Sequence, residues 1–571
     1  MRKSKTLLTI LLVMFMVTTL AFANGEKEVS NNQVFNTMIK GEPTILDPAQ
    51  YRDDTASTII GAIHEPLIRI AGEGGREYEE GLATKFDHNE DFTVWTFYLR
   101  KNAKWQDGTP VTAEDVVYSF QRGIDPALGS KKVDDYFMIK NAREIYTSLT
   151  EAEDETPIAD LPLSNLGVKA VDDYTVQFTL NLPCDFFCDY LKSPGWSPIQ
   201  KEAGEKFGEM YGTDFDKVVA SGPFCLSSWD HNASLTLTKN ENYWDEANVA
   251  LDEVFVSIVQ DANTQLSLFD TGMLDFTTIS QEVANSDKYP TSQSMELLRV
   301  QFIEFNPNEK IDGVAFNFFQ NKDIREALSL AFDRQAYASQ IMKQPEVAAY
   351  SLVPYGMRGE AGGDFAEQQG PLVFDMNNFP GGTFDGKTYS AGKEGAISRA
   401  KDLLAKGLKA LGKTATDMEK GTVVQCINSP GSITQAEAIQ AMWKQNLGLN
   451  ITVLPLDIGT LLPLLINCTF QCVVGGGRNA TTFDPEGMLD FVYTENKWNN
   501  PEFRSLYEEM LSNFGDKRLA LLKEVEKMVC ENFVYIPQVG SITNYVLSDR
   551  VEGFRMYPLC IPYDFKHIVL K

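Results

Sequence analysis

Apolar and polar side chains alternate with period two over Gln33–Ile39, Asp173–Leu180 and Ala233–Lys239, which predicts strands with one buried face. Val94–Leu99 reads the same way and runs through a short polar link to the turn Asp107-Gly108-Thr109-Pro110. Helical spacing takes over at Thr112–Gln121, which opens with Thr112 and Asp115 in the pattern of a capping box. A longer helix is predicted over Asp323–Lys343, with Ile324, Leu328, Ala331 and Phe332 on one face. Thr434–Leu447 aligns Ile439, Trp443 and Leu447, and Gly448 marks its stop. Asp516–Cys530 carries Leu521, Val525, Met528 and Val529 at the same spacing. These stripes read as core faces. Strands and helices alternate along the chain, so α/β layers are expected rather than a sandwich or a bundle. Two stretches leave the pattern. The acidic run at 151–160 reads as a solvated loop, and 356–395, with ten glycines and little periodicity, as a long surface loop. No repeat with a period of 20–50 residues is visible.

A chain of 571 residues exceeds one core and implies two to four packed units. Its 51 basic and 79 acidic side chains leave a net charge of −28, a field that repels nucleic-acid backbones and anionic membranes. Past the N-terminus no basic cluster exceeds pairs such as Lys131–Lys132, so no nucleic-acid partner is expected.

Residues 1–23 combine Arg2, Lys3 and Lys5 with an apolar stretch from Leu7 to Leu20 and the small-residue exit Ala21-Phe22-Ala23. This is the layout of a signal peptide cleaved after Ala23. The apolar stretch is shorter than the roughly 20 residues a membrane span needs. The first cysteine is Cys184, so no lipid anchor on an N-terminal cysteine is expected. Eight cysteines and only four histidines (His64, His88, His231 and His567) are present, and no histidine lies near Cys184/Cys188 or Cys468/Cys472. Buried thiols or one or two disulfides are expected, and no metal site.

Catalytic motifs are missing. No G-x-S-x-G, H-E-x-x-H or G-x-G-x-x-G occurs. Gly381–Thr388 (GGTFDGKT) fits a phosphate-loop pattern, but neither flank offers the strand before it or the helix after it, so it reads as a chance match. Gly475-Gly476-Gly477 after the apolar run Cys472–Val474 reads as a tight turn leaving a strand. Pairs of carboxylates carry no signal among 79 acids. No catalytic residue and no cofactor are expected, which favours binding over turnover.

At Trp95–Arg122 the chain reads WTFYLRKNAKWQDGTPVTAEDVVYSFQR, which closely resembles the signature of the extracellular solute-binding proteins of peptide-type ABC importers, such as the oligopeptide-binding proteins. Gly41–Pro48, Leu166–Leu180, Ser221–Asp245, Asp323–Arg334 and Gln445–Val453 are similar to that family in the same order. The resemblance implies an α/β, two-lobed periplasmic binding protein of type II, peptide-binding class, with an extra α/β domain. Lobe I would combine 24–54, 191–300 and 537–571, the extra domain would be 55–190, and lobe II would be 301–536. The ligand would lie in a closed cleft between the lobes, held as an added strand.

By the same resemblance, Glu42, Pro43 and Thr44 would lie along one side of the ligand and Gly477, Arg478 and Asn479 along the other. Where the peptide binders have an Asp for the ligand's amino group, this chain has Thr481, and a hydroxyl cannot act as an ionic partner. Asp484, three residues on, is the candidate substitute. Ile458 and Arg478 stand at positions the family fills with tryptophan. Two readings of Arg478 are open: a seat for an anionic ligand group, or a partner for a neighbouring acid. The expectation is therefore a monomeric, periplasmic component that captures short peptides and delivers them to permease subunits with their ATPases. The alternatives are a non-peptide solute (a sugar, an opine-like compound or a metal chelate) and an exported hydrolase.

Overall fold

The computed structural model describes residues 33–150, 161–344, 347–494, 498–559 and 563–571. The signal segment and the acidic run at 151–160 lie outside the described residues. In chain order, β1 (Val34–Ile39) leads to helix α1 (Asp54–Ile63). Strands β2 (Ala83–His88) and β3 (Val94–Leu99) precede α2 (Ala113–Ile124). Then come β4 (Val168–Asp172), β5 (Thr175–Thr179), β6 (Phe224–Asp230), β7 (Ser234–Lys239), β8 (Glu253–Ile258) and β9 (Phe276–Ile279). The long strand β10 (Gln293–Phe305) opens the second half. It is followed by α3 (Lys322–Leu330), α4 (Lys393–Ala410), β11 (Val423–Ile427), α5 (Pro430–Leu447), β12 (Thr452–Leu456) and α6 (Ile458–Ile466). β13 (Cys472–Asn479), α7 (Pro501–Leu511), α8 (Gly515–Glu531) and β14 (Tyr535–Leu547) complete the main elements.

Three larger sheets organise these elements. β1, β8, β7 and β6 form one, β2, β3, β5 and β4 the second, and β9, β14, β10, β13, β11 and β12 the third. Each sheet carries its own core. Phe35, Leu235, Val254 and Phe276 pack with Phe565 from the C-terminal tail. Trp95, Phe97, Phe120 and Phe178 form an aromatic core with Trp105 and Trp196. Ile303, Leu328, Ile439 and Trp443 lead a third core, and Phe302, Phe491, Leu522 and Tyr535 a fourth. The fold is thus two-lobed α/β. β10 and β14, 13 residues each, pair with one another; the C-terminal end of β14 also pairs β9, and β10 pairs β13 from Arg299 to Phe305. Their mutual register shifts between Leu297 and Val300 and again between Gln301 and Phe302, where bulges bend the ribbon.

Local signals explain the helix ends. The Asp115 carboxylate accepts the Thr112 backbone N–H at 2.8 Å, closing the capping box of α2. α5 starts with Ser429 as cap and Pro430 in its first turn, and ends on Gly448 at φ 78°. The continuous helix expected over Asp323–Lys343 is broken. The Arg334 N–H is taken by Asp375 at 3.0 Å, and the Asp333 carboxylate accepts the Ala336 N–H at 2.9 Å and starts a new turn.

The glycine-rich stretch 356–395 is no free surface loop, since Met357, Phe365 and Val373 are fully buried in the fourth core. Within it, Gly382–Phe384 pairs with Lys387–Tyr389 across Asp385 (φ 48°) and Gly386 (φ 77°). The phosphate-loop look-alike is therefore a hairpin with a two-residue Asp-Gly turn, and no helix opens there. Gly475–Gly477 is also not a turn leaving a strand. It continues β13 through a bulge, where Phe302 pairs Gly476 and Glu304 pairs Val473. The seven described cysteines are free thiols, and no group of metal-binding side chains occurs among the described residues. No described helix is long and apolar enough to cross a membrane.

Candidate functional site

A cavity of about 540 Å³ lies where the end of β1 and the start of α1 face β9, β10 and the end of β13. Its first wall is built by capping. Asp53 caps α1 by accepting the Ala56 N–H at 2.7 Å, and it also accepts the Thr44 hydroxyl at 2.6 Å. One carboxylate thus ties the loop after β1 to the helix. Burial alone would raise the Asp53 carboxyl, but these hydrogen bonds outweigh it and hold the group below its usual range. Glu42 is committed outward: it accepts Trp229 Nε1 at 3.0 Å and the Asn232 N–H at 2.8 Å and meets His231 Nδ1 at 2.7 Å. Pro43 is buried between them.

The second wall follows from register. In the antiparallel pair β10–β13, Arg299 lies opposite Asn479, Val300 opposite Arg478 and Gln301 opposite Gly477. Directly opposed side chains share a face, and each step along a strand changes face. Arg299 and Asn479 accordingly line the cavity together. Arg478 points to the other face, where Nη2 binds both Asp490 oxygens at 2.7 and 2.9 Å and Nε donates to the Gly487 carbonyl at 2.8 Å. Of the two readings open for Arg478, the structure has the paired one.

Of the residues the sequence singled out, Glu42, Thr44 and Asn479 line the cavity, whereas Pro43, Gly477, Arg478, Thr481 and Asp484 do not. Thr481 is exposed. Asp484 is fully buried and committed: Arg518 donates to its two oxygens at 2.8 and 3.0 Å and Arg358 at 3.1 Å. Burial alone would raise its carboxyl, but the two guanidiniums hold it low. In this conformation it cannot substitute for the missing family aspartate. The dipeptide Asp484-Pro485 carried the signal: Asp484 caps the turn Pro485–Met488 through the Glu486 N–H at 3.0 Å.

Four charged residues of the cavity, Lys40, Asp53, Asp54 and Arg299, were missed by sequence reasoning. Only the alternation of β10 around Arg299 hinted at a polar group facing inward. Burial and the adjacent Asp53 push the Asp54 carboxyl up, and Arg299 opposes them. Away from the cavity, Arg358 also reaches Asp185 at 3.2 Å, and the Arg76 Nε donates to the Gly356 carbonyl at 3.1 Å, so the 55–190 segment touches the second half of the chain. Ile458, Leu462 and Ile466 leave an exposed apolar stripe along α6.

Comparisons with known proteins agree with this architecture. The family described as bacterial extracellular solute-binding proteins, family 5 (middle), matches residues 77–500. The chain is 27% identical to the oligopeptide-binding protein OppA of Bacillus subtilis, over 97% of both chains. It is 29% identical to the periplasmic oligopeptide-binding protein OppA of Escherichia coli, over 89% of this chain and 87% of the other. Among solved structures, Listeria monocytogenes OppA bound to peptide superposes with a TM-score of 0.74 at 25% identity, covering 95% of this chain and all of the other.

Proposed function

Because the chain belongs to the bacterial extracellular solute-binding proteins of family 5, we propose that it captures short peptides between its lobes and hands them to an ABC importer. The observation that carries this reading is the cavity of about 540 Å³, which is walled by β1 and α1 on one side and by the shared ribbon of β10 with β13 on the other. That volume suits a small ligand. The second edge of β13 supports the strand-addition mode. Its pairing with β11 covers only Cys472 and Val473, so Gly475–Asn479 have a strand partner on one side alone among the described residues. A peptide added there would gain main-chain hydrogen bonds whatever its sequence, with side-chain selection left to the surrounding walls.

The rest of the reading draws on the family and, for export, on the signal-peptide layout of residues 1–23. Export releases the chain after Ala23, the mature protein acts as a periplasmic monomer, and its partners are two permease subunits with their ATPases. It binds and does not hydrolyse. Lobe I (24–54, 191–300 and 537–571) and lobe II (301–536) close about the β10–β14 ribbon, with the extra domain (55–190) riding on the first. A second reading, a non-peptide solute, draws on Thr481 standing where an ionic anchor is expected and on Asp484 being committed elsewhere.

Native mass spectrometry of protein purified without denaturation tests the proposal. The expected result is a heterogeneous ladder of bound peptides, and a single small non-peptide mass would overturn it. Stripping and re-adding the peptides should also change the radius of gyration in small-angle scattering, because closure joins contacts that neither lobe makes alone. An unchanged radius at saturation would remove hinge closure from the reading.

A further inference from the structure

We propose that Arg299 is the anion receptor of this cavity and that the ligand places a carboxylate against it; the inference rests on the peptide reading and names what that peptide must carry. The first observation is an unmet hydrogen-bonding demand. Arg299 Nε is buried without an acceptor, and no ion pair or hydrogen bond engages this side chain among the described residues. An orphaned buried donor costs free energy until something fills it. Arg69 and Arg358 also leave Nε without an acceptor, but their Nη atoms are paired, Arg69 with Asp564 at 2.6 Å and Arg358 with Asp484 at 3.1 Å. Buried Arg122 pairs with Asp47 at 2.6 Å, Arg518 with Asp484 at 2.8 Å, and Arg325 with the Asn532 carbonyl. Arg299, with no such partner among the described residues, departs from that habit on the wall of the cavity.

The second observation is where the group stands. Its register opposite Asn479 puts a guanidinium and an amide side by side on the cavity face, at the end of the half-paired edge of β13. A guanidinium offers a planar fork of donors that matches a carboxylate, and Asn479 adds a further donor beside it.

The third observation is the inventory of charges around the cavity. Lys40 lines it without an ion pair among the described residues. Glu42 is held by Trp229, His231 and Asn232, and Asp53 by Thr44 and the start of α1. Asp54 is the one lining carboxylate with no side-chain hydrogen bond among the described residues; it feels the charge of Arg299 but forms no ion pair with it there. The cavity therefore presents two uncommitted cations and one uncommitted acid. A ligand with a carboxylate at Arg299 and an ammonium toward Asp54 matches this arrangement, and it needs no charge at Thr481. The carboxylate is either the C-terminus or an Asp or Glu side chain.

The test uses the full mature chain, stripped of co-purified ligand, with a defined mixture of synthetic tri- and tetrapeptides. The mixture holds neutral peptides with a free C-terminus, neutral peptides with a C-terminal amide, and amides carrying one Asp or Glu. Bound peptides are separated by ultrafiltration and counted by mass spectrometry for the wild type, Arg299→Met and Arg299→Lys. The wild type should enrich carboxylate-bearing peptides at least tenfold over neutral amides. Retention of acidic amides would assign the side chain, and of free acids alone the C-terminus. Arg299→Met should lose the preference with its thermal midpoint nearly unchanged, and Arg299→Lys should keep part of it. Equal retention of neutral amides by the wild type, or an unchanged preference in Arg299→Met, overturns the inference while peptide binding stands. If the wild type retains no peptide at all, the peptide reading fails and takes the inference with it. Should Arg299→Met not fold, the wild-type preference and Arg299→Lys decide.

Discussion

Asp484→Asn should lower the unfolding free energy by about 3–5 kcal/mol, the usual scale for removing one partner of a buried ion pair. The side chains of Asp484 and Arg518 are 0% and 1% exposed, and the guanidinium spans both carboxylate oxygens. The amide keeps the shape and removes the charge. Arg518 is then left with Glu486 as its remaining counter-ion. Glu486 is a poor substitute, because burial first and Asp484 second push its carboxyl above the usual range. Losing Asp484 relieves the second cause but not the first. The effect spreads further, since Arg358 bridges Asp484 to Asp185 in the 55–190 segment and loses one of its two acids. Denaturant titration of the mature chain, followed by tryptophan fluorescence and circular dichroism, reads the change. A loss under about 1 kcal/mol together with weakened peptide binding would show instead that Asp484 serves the ligand.

Glu526→Gln should change the pH dependence of stability by about 2 kcal/mol between pH 5.5 and pH 8. Glu526 sits on α8 in the fourth core, and its Oε1 accepts the N–H groups of Leu352 at 2.9 Å and Val353 at 2.8 Å. Its second oxygen is buried without a partner, and burial raises the carboxyl to about 7 against an ordinary value of 4.5. The folded chain therefore holds a proton that the unfolded chain has released. This group's contribution is greatest below the unfolded value and is lost as pH rises through 7, up to about 3 kcal/mol in all. His64 works in the opposite direction. Burial presses its imidazole down to about 3, so folding becomes less favourable as pH falls below the ordinary value of 6.5. The difference between wild type and Glu526→Gln isolates the carboxyl from that background. It should grow steadily in favour of the variant from pH 5.5 to 8, and parallel stability curves would sink the assignment.

The α/β class, the cap at Thr112–Asp115, the start and stop of α5 and the family itself were legible in the sequence. Each rests on residues close together in the chain, where a period of 2 or 3.6 or a capping pair acts through its own backbone. The break after α3 was not legible, because the group that captures the Arg334 N–H is Asp375, forty-one residues away. The candidate site divides along the same line. Sequence reasoning reached Thr44 and Asn479 at the cavity but gave Asp484 and Arg478 open roles. It passed over Arg299 altogether. What the sequence by itself determined is which segments form strands and helices and what kind of protein they build. Only the tertiary structure decided which charges are spent and which are free. A strand exposes alternate residues to opposite faces, so the pairing of Arg299 with Asn479, made between distant segments, turned one arginine toward the cavity and its neighbour across the ribbon toward Asp490.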